Sequence, residues 1–305
     1  MKHLFIVNPI AGGKDKTEEV RGKVEAAFQK RGGEFEIYVT TAPMDATRKI
    51  EEEAAKGEHL RIYACGGDGT LNECVCGAAL KSNVAVCPFP TGTGNDFCRM
   101  FGEEKDSFRD LEALLDGTEH AIDLLECNGR YSANICSVGV DARIGTDVHK
   151  YSGIPLIGGA GGYVISAAVN MFKGIATEMD ISCEDFHADG KHTLVCACNG
   201  RFYGGGFNPS LEAMPDDGIM DVYIVKKVNL IQFAALIGKY SKGKADELPK
   251  FITHLRTAEE VVIRCDKEDV AQLDGEALRA TEFRFRMAPK ALNLIVPRGM
   301  KFFEK

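Results

Sequence analysis

The stretch Cys65-Gly66-Gly67-Asp68-Gly69-Thr70-Leu71-Asn72-Glu73 constrains the chain more than any other. The apolar run Leu60 to Ala64 precedes it and reads as a buried strand, and Leu71 to Leu80 follows and reads as a helix. Glycine lets the main chain adopt positive φ and lets a ligand approach closely. The first N–H groups of a helix lack internal partners and sit at the positive end of its dipole, so such a turn suits phosphate. Asp68 sets a carboxylate among those donors, and a carboxylate beside a phosphate needs a cation or a proton between them. The stretch reads as a nucleotide phosphate site with Mg²⁺ or a transferable proton at Asp68. Its other reading is an Asp-Gly turn that caps a helix, although Gly66-Gly67 is more glycine than a cap needs.

Strand and helix alternate around this turn. Leu4 to Val7 is an apolar strand, and Asn8-Pro9-Ile10-Ala11-Gly12-Gly13 breaks it. Thr17 to Lys30 carries helical spacing in Val20, Val24, Ala27 and Phe28. Phe35 to Thr40 and Asn83 to Cys87 read as further strands, and Asp45 as the cap of a helix running to about Lys56. This alternation predicts an α/β domain over 1–123 with a parallel sheet, whose ligands sit at the carboxyl ends of the strands. The Asn8 loop, Thr40-Thr41, the Gly66 loop and the loop Pro88 to Asp96 then share one edge. Beyond Leu124 the character changes. Asn128-Gly129 and Asp189-Gly190 are hairpin signals, and strand-like runs follow at Met179–Cys183, Leu194–Cys198, Val222–Val225, Val261–Cys265, Phe283–Met287 and Leu292–Val296. A mostly antiparallel β domain is expected over 124–290, with a helical insertion from Leu230 to Tyr240. The sequence leaves open whether 291–305 returns to the first domain.

A formal net charge of -8 argues against a general nucleic-acid binder. The 11 cysteines form no C-x-x-C and read as small core residues of a reducing compartment, and the seven histidines form no ligand motif. No signal peptide is visible. Tyr151 to Phe172 is uncharged and long enough to span a bilayer, but its glycines and Pro155 favour a loop and then a buried helix from about Tyr163. No transmembrane span is expected.

The usual nucleotide fingerprints fail. Gly13-Lys14 is followed by Asp15, so no P-loop is formed, and neither Gly67-Asp68-Gly69 nor Gly92-Thr93-Gly94 continues as G-x-G-x-x-G. Another set fits. Asn8-Pro9-x-x-Gly12, Gly66-Gly67-Asp68-Gly69-Thr70-x-Asn72-Glu73, Pro90-x-Gly92-Thr93-x-Asn95-Asp96-Phe97 and Asp274-Gly275-Glu276 occur in order. Together they resemble the diacylglycerol kinase catalytic-domain family, above all its soluble bacterial lipid kinases, over nearly the whole chain. The resemblance implies an α/β nucleotide domain of the NAD kinase/phosphofructokinase type, a β-rich second domain and an active site in the cleft between them. It implies ATP- and Mg²⁺-dependent phosphorylation of a lipid hydroxyl, foremost diacylglycerol to phosphatidic acid.

Carried onto this chain, Asn8, Pro9, Ile10, Ala11, Gly12, Thr40, Gly67, Asp68, Gly69, Thr70, Leu71, Asn72, Glu73 and Thr93 match nucleotide-contacting positions. Asp68 matches the acidic residue of the active site and Glu276 the proton acceptor. Met214, Asp217 and Ile219 match a Mg²⁺ loop, the first and last through main-chain carbonyls, with Asp123 and Asp216 in a polar network linking that loop to the site. Some members place a lysine immediately after Asn-Pro-x-x-Gly; here that position is Gly13, with Lys14 next as its candidate substitute. Phosphoryl transfer needs positioning and charge neutralisation more than covalent help, and these residue types supply both. Such an enzyme is expected in the cytoplasm and peripherally on membrane, where Lys239, Lys242, Lys244 and Lys250 are candidates to meet anionic headgroups. The oligomeric state stays open, a homodimer among the options. The rival readings are a NAD kinase, which shares the Gly-Gly-Asp-Gly loop, and a nucleotide-binding regulatory protein without catalysis.

Overall fold

The computed structural model describes residues 1–92, 94–151 and 175–304. The chain divides into two compact units, Met1–Leu124 with Pro289–Lys305, and Leu125–Ala288. It leaves the first within the strand Thr118–Cys127 and returns within the strand Glu276–Val296.

In the first unit, β1 (Lys2–Val7), α1 (Thr17–Arg31), β2 (Glu34–Val39), α2 (Asp45–Ala54), β3 (Leu60–Gly66), α3 (Asp68–Ala78) and β4 (Val84–Pro90) follow in turn. The strands lie in the order β2-β1-β3-β4 and every pairing is parallel, with Ile6 opposite Tyr38 and Ala64, and Ala64 opposite Pro88. Every residue of β3 and β4 is buried, as a sheet covered on both faces requires. Phe5 stacks on Tyr63 at 4.4 Å, and Phe28 of α1 meets Phe5 edge-on. Gly77 lets α3 cross α2 closely, because a β-carbon there would meet the Thr47 carbonyl at 2.9 Å. The C-terminal segment belongs to this unit. Asn293 and Leu294 pair in parallel with Ala85 and Val86, and Phe302 and Phe303 pack on Phe101.

The second unit is antiparallel. Its strands run in the order Ile252–Thr257, Met220–Lys226, Lys191–Cys198, Ile135–Gly139, Val261–Leu273 and then the first part of Glu276–Val296. Side chains alternate between faces. Cys136, Val138, Val195, Ala197, Val222 and Ile224 share one core with Phe283 and Phe285. Leu194, Cys196, Cys198, Tyr223 and Val225 share the other with Tyr240 of the helix Leu230–Tyr240.

Three expectations shift. Asp45 is the first residue of α2 rather than its cap, which falls at Met44 in left-handed conformation. Asp189-Gly190 is a bend rather than a hairpin turn, and its flanking strands do not pair with each other; Phe186–Ala188 and Lys191–Cys198 both pair with Thr177–Cys183. Phe283 to Met287 and Leu292 to Val296 are parts of one 21-residue strand. Nearly all of Tyr151 to Phe172, with the helix expected from Tyr163, lies outside the described residues. Among those described, no helix is long and apolar enough to cross a membrane. The cysteines are free and, apart from Cys76, buried.

His3 is buried between Phe28 and Tyr63, with Nδ1 2.8 Å from the Tyr63 hydroxyl. Burial, helped by the Arg61 charge, pushes its pKa down from 6.5 to about 4. Between those values the unfolded chain holds a proton that the folded chain refuses. Stability therefore falls as pH drops from about 6.5 to about 4 and levels off below. In urea titrations across that window, His3→Gln should lose about 3 kcal/mol less than the parent; equal slopes would remove His3 as the cause.

Candidate functional site

The strand order places a topological switch between β1 and β3. The chain leaves β1 toward β2 on one side and comes back as β3 on the other, and open α/β sheets bind ligands at the carboxyl ends of strands at such a point. The sequence puts both glycine motifs there.

The loops are held by main chain against main chain. The Gly66 carbonyl accepts from the amides of Thr91 (3.1 Å) and Gly92 (3.0 Å), and the Gly94 carbonyl accepts from the Asp68 amide (3.1 Å). A β-carbon on Gly92 would meet the Gly67 nitrogen at 3.1 Å, and one on Gly67 the Gly94 oxygen at 2.9 Å. Gly12, at φ 71°, lies against Gly92 and Thr91. A β-carbon on Gly66 would fall on the Thr70 side chain at 2.1 Å, and the Thr70 hydroxyl accepts from Asn8 Nδ2 (3.1 Å). Asn8 Oδ1 in turn accepts from the Ile10 amide (3.1 Å). The three loops are thus fastened together, and only glycine fits at their meeting points.

Asp68 opens α3. Its carboxylate accepts from the Asp96 amide at 2.8 and 3.0 Å and from the Phe97 amide at 3.4 Å. The acid singled out from sequence therefore braces the Pro90 to Asp96 loop from the tip of α3. Beside it, the amides of Gly69 and Thr70 carry the partial positive charge of the helix start.

The predicted nucleotide residues fall into two groups. Ile10 is 83% exposed, and Gly12 and Gly69 are exposed, with Pro9, Ala11, Gly67 and Asp68 half-buried. These form the accessible edge. Thr70, Leu71 and Asn72 are buried. Glu73 is turned toward α2, where its carboxylate accepts from the Ala46 amide (3.2 Å) and its carbonyl from the Thr47 hydroxyl (2.8 Å). Thr40 donates to the Val7 carbonyl through its amide (2.9 Å) and its hydroxyl (3.3 Å). The turn after it is pinned by Asp45, which accepts from the Thr41 amide and hydroxyl, Tyr38 and Arg48. Those bonds, the Thr41 amide foremost, hold the Asp45 carboxyl down at about 2. Thr93 lies outside the described residues. Lys14 is exposed.

In the second unit, Asp274 and Gly275 have φ of 50° and 97° and join Leu273 to its cross-strand partner Glu276. This is a two-residue turn of the Asp-Gly kind. The Asp274 carboxylate accepts from the amides of Ala133 (2.9 Å), Asn134 (3.3 Å) and Ile135 (2.8 Å). Glu276, first in its strand, is half-buried and follows directly on this anchored corner. In the Met214 to Ile219 loop, Asp217 accepts from the Ile219 amide (3.0 Å) and from Arg256 (3.2 Å). Among the described residues no three His, Cys, Asp or Glu side chains gather as a metal site, so a cation there would depend on the Asp217 carboxylate and main-chain carbonyls. Asp123 is buried and accepts from the Lys290 amide (2.7 Å), within the first unit; Asp216 is half-buried in the second.

One feature escaped the sequence reading. The second unit holds an apolar cavity of about 80 Å³, walled by Val140, Ile144, Phe207, Phe233, Leu236 and Tyr240 among others. Asp141 is its one acidic wall residue among those described. Burial raises the Asp141 carboxyl to about 6, against the pull of Ser137 and Tyr203. The wall is assembled from strand ends, two helices and a loop, which no local pattern announces.

Comparison with known proteins agrees with this architecture. Residues 2–127 match the family described as "Diacylglycerol kinase catalytic domain", and residues 134–296 match the "YegS C-terminal NAD kinase beta sandwich-like domain". The chain is similar to a "Probable lipid kinase YegS-like" of Pseudomonas aeruginosa PAO1, at 32% identity over 92% of this chain and 91% of that one. It is similar to one of the same name from Pectobacterium atrosepticum, at 29% identity over 96% and 95%. Its fold is similar to that of a diacylglycerol kinase from Bacillus anthracis str. Sterne, with a TM-score of 0.68, 22% identity and 98% of each chain covered.

Asp68→Asn removes the charge from the bond to the Asp96 amide and offers N–H where an acceptor is needed. Charge-assisted bonds of this kind contribute about 1.5–3 kcal/mol, so the Asp96 and Phe97 amides should exchange with deuterium about tenfold faster or more in the variant. Unchanged exchange would show that the carboxylate does not brace the loop. Gly92→Ala should cost about 1–3 kcal/mol by overpacking, read as a lower midpoint in thermal unfolding; an unchanged midpoint would mean the loops have room to part.

Proposed function

Because the chain belongs to the diacylglycerol kinase catalytic-domain family, in its YegS-like form, we propose that it is a lipid kinase that passes the γ-phosphoryl group of ATP to a lipid hydroxyl, with diacylglycerol as acceptor and phosphatidic acid as product. The observation that carries this reading is the glycine edge at the β1–β3 switch, where main chain from three loops meets a helix start and side chains are excluded. Such an edge suits the non-transferred phosphates.

We assign Asn8, Pro9, Ile10, Ala11, Gly12, Thr40, Gly67, Gly69 and Thr93 to the nucleotide directly. Thr70, Leu71, Asn72 and Glu73 serve as the framework that shapes the edge. Asp68 fixes the facing loop and is the acid of the site. Glu276 takes the proton of the attacking hydroxyl, a step worth about 10²–10⁴-fold in rate. Bound Mg²⁺ supplies positive charge against the phosphate oxygens. The Met214 and Ile219 carbonyls with the Asp217 carboxylate are hard oxygen donors of the kind Mg²⁺ takes, so this loop fits a structural cation, with the Arg256 pairing as its competitor. The apolar cavity with Asp141 at its wall supports an acceptor with a hydrocarbon tail and a polar group. Such an enzyme acts in the cytoplasm, at the membrane surface.

Labelled ATP and Mg²⁺ supplied with diacylglycerol micelles, with NAD, or without acceptor separate the readings. Label is expected in lipid; label in NADP would make the protein a NAD kinase, and label in neither would leave a nucleotide binder. Glu276→Gln should bind nucleotide as the parent does and turn over at least about a hundredfold more slowly. Parental turnover in that variant would remove Glu276 from the mechanism.

A further inference from the structure

The helix Leu230–Tyr240 is apolar on both sides. Its start is fixed by a capping box between Asn229 and Gln232, each side chain bonded to the other's amide at 2.9 Å. Phe233, Leu236, Ile237 and Tyr240 face inward and line the apolar cavity. Leu230, Ile231, Ala234, Ala235 and Gly238 are exposed, one outward stripe at helical spacing. Ile231 is 83% exposed and Leu230 46%. A surface helix ordinarily carries charge on that side; here the helix holds a single charged residue, Lys239, in its last turn. Leu211, 55% exposed, extends apolar surface beyond the far end of the helix, where it lies against Gly243.

Around the stripe the charge reverses the sign of the whole chain. Residues 226–250 hold six lysines (226, 227, 239, 242, 244 and 250) and two acids, in a protein of formal net charge -8. Lys239 and Lys244 share Glu247 at 3.0 and 3.6 Å, and Asp246 faces His254. Lys242 and Lys250 are exposed.

We propose that this helix docks the protein on an anionic lipid bilayer, with Leu230 and Ile231 entering the boundary between headgroups and acyl chains and the lysines meeting the headgroups. An outward apolar stripe with a basic rim is the pattern of a helix that lies in that boundary. The same helix walls the cavity, so the docked face and the space suited to a lipid tail are two sides of one element. The inference rests on the lipid-kinase reading for its purpose, and on the stripe and the lysines for its evidence.

The test uses the full chain and phosphatidylcholine vesicles with and without phosphatidylglycerol, read by co-sedimentation. Binding is expected only with the anionic lipid, and should weaken as salt rises. Ile231→Asp should lower it about tenfold or more, and Lys242→Gln with Lys250→Gln should lower it and flatten its salt dependence. Circular dichroism and the thermal midpoint of Ile231→Asp should match the parent, since the side chain is exposed. Parental vesicle binding in Ile231→Asp would overturn the proposal. So would a stripe that instead joins two copies, seen as loss of a dimer by light scattering in Ile231→Asp with no vesicle binding by the parent. A monomeric short-chain diacylglycerol separates this proposal from the functional reading. Ile231→Asp should phosphorylate it at the parental rate while losing activity on vesicle-embedded diacylglycerol. If the parent phosphorylates neither but still binds anionic vesicles as described, the docking stands and the kinase reading fails.

Discussion

Main chain packed on main chain is the constraint from which the glycine edge follows. The Gly66 carbonyl accepts from the amides of Thr91 and Gly92, and Gly67 lies against the backbone of Gly92 and Gly94 at distances that leave no space for a β-carbon. The parallel register brings the ends of β3 and β4 level, with Gly66 opposite Pro90, so the loops that follow start side by side. Close approach leaves helix-start amides near the surface rather than screened by side chains. A phosphate-sized anion would meet dipoles there that are already oriented, and orienting them would cost nothing at the moment of binding.

Carboxylates recur as fasteners of loops. Asp68 holds the amides of Asp96 and Phe97, Asp45 that of Thr41, Glu73 that of Ala46, and Asp274 those of Ala133, Asn134 and Ile135. Each ties an acid of one segment to unsatisfied N–H groups of another, where a neutral side chain would bond less strongly. The acids that motif reading marks as chemical are thus also structural. Loss of function on replacing one of them does not by itself separate the two roles. Glu276 differs, because the fastening at its corner is done by its neighbour Asp274 and the Glu276 carboxyl is not needed for it.

Much of the fold was legible because its signals are local. Apolar runs gave β1, β3 and β4, glycine turns gave their ends, and Asn128-Gly129 gave a hairpin between Cys127 and Arg130. Partnership was not legible where it is decided at long range. Asp189-Gly190 announces a reversal, yet its flanking strands both pair with Thr177–Cys183. Within the candidate site, the spacing of Gly67, Asp68 and Gly69 showed a helix start. It could not show that Thr70 would cover Gly66 or that Glu73 would turn away to α2. The cavity beside Asp141 was invisible, since its wall draws on segments more than a hundred residues apart, Val140 and Ile252 among them.

The buried thiols carry a consequence of their own. Cys65, Cys74, Cys136 and Cys198 are fully enclosed, and burial lifts each thiol well above its usual range. A thiol without its thiolate is a poor nucleophile, so these sulfurs are silent to alkylating reagents while the surrounding structure stays closed. Cys65 and Cys74 flank the glycine edge, whereas Cys136 and Cys198 sit in neighbouring strands of the second unit. The chain thereby contains its own gauges of local breathing, one pair per unit, each labelled only when its neighbourhood opens.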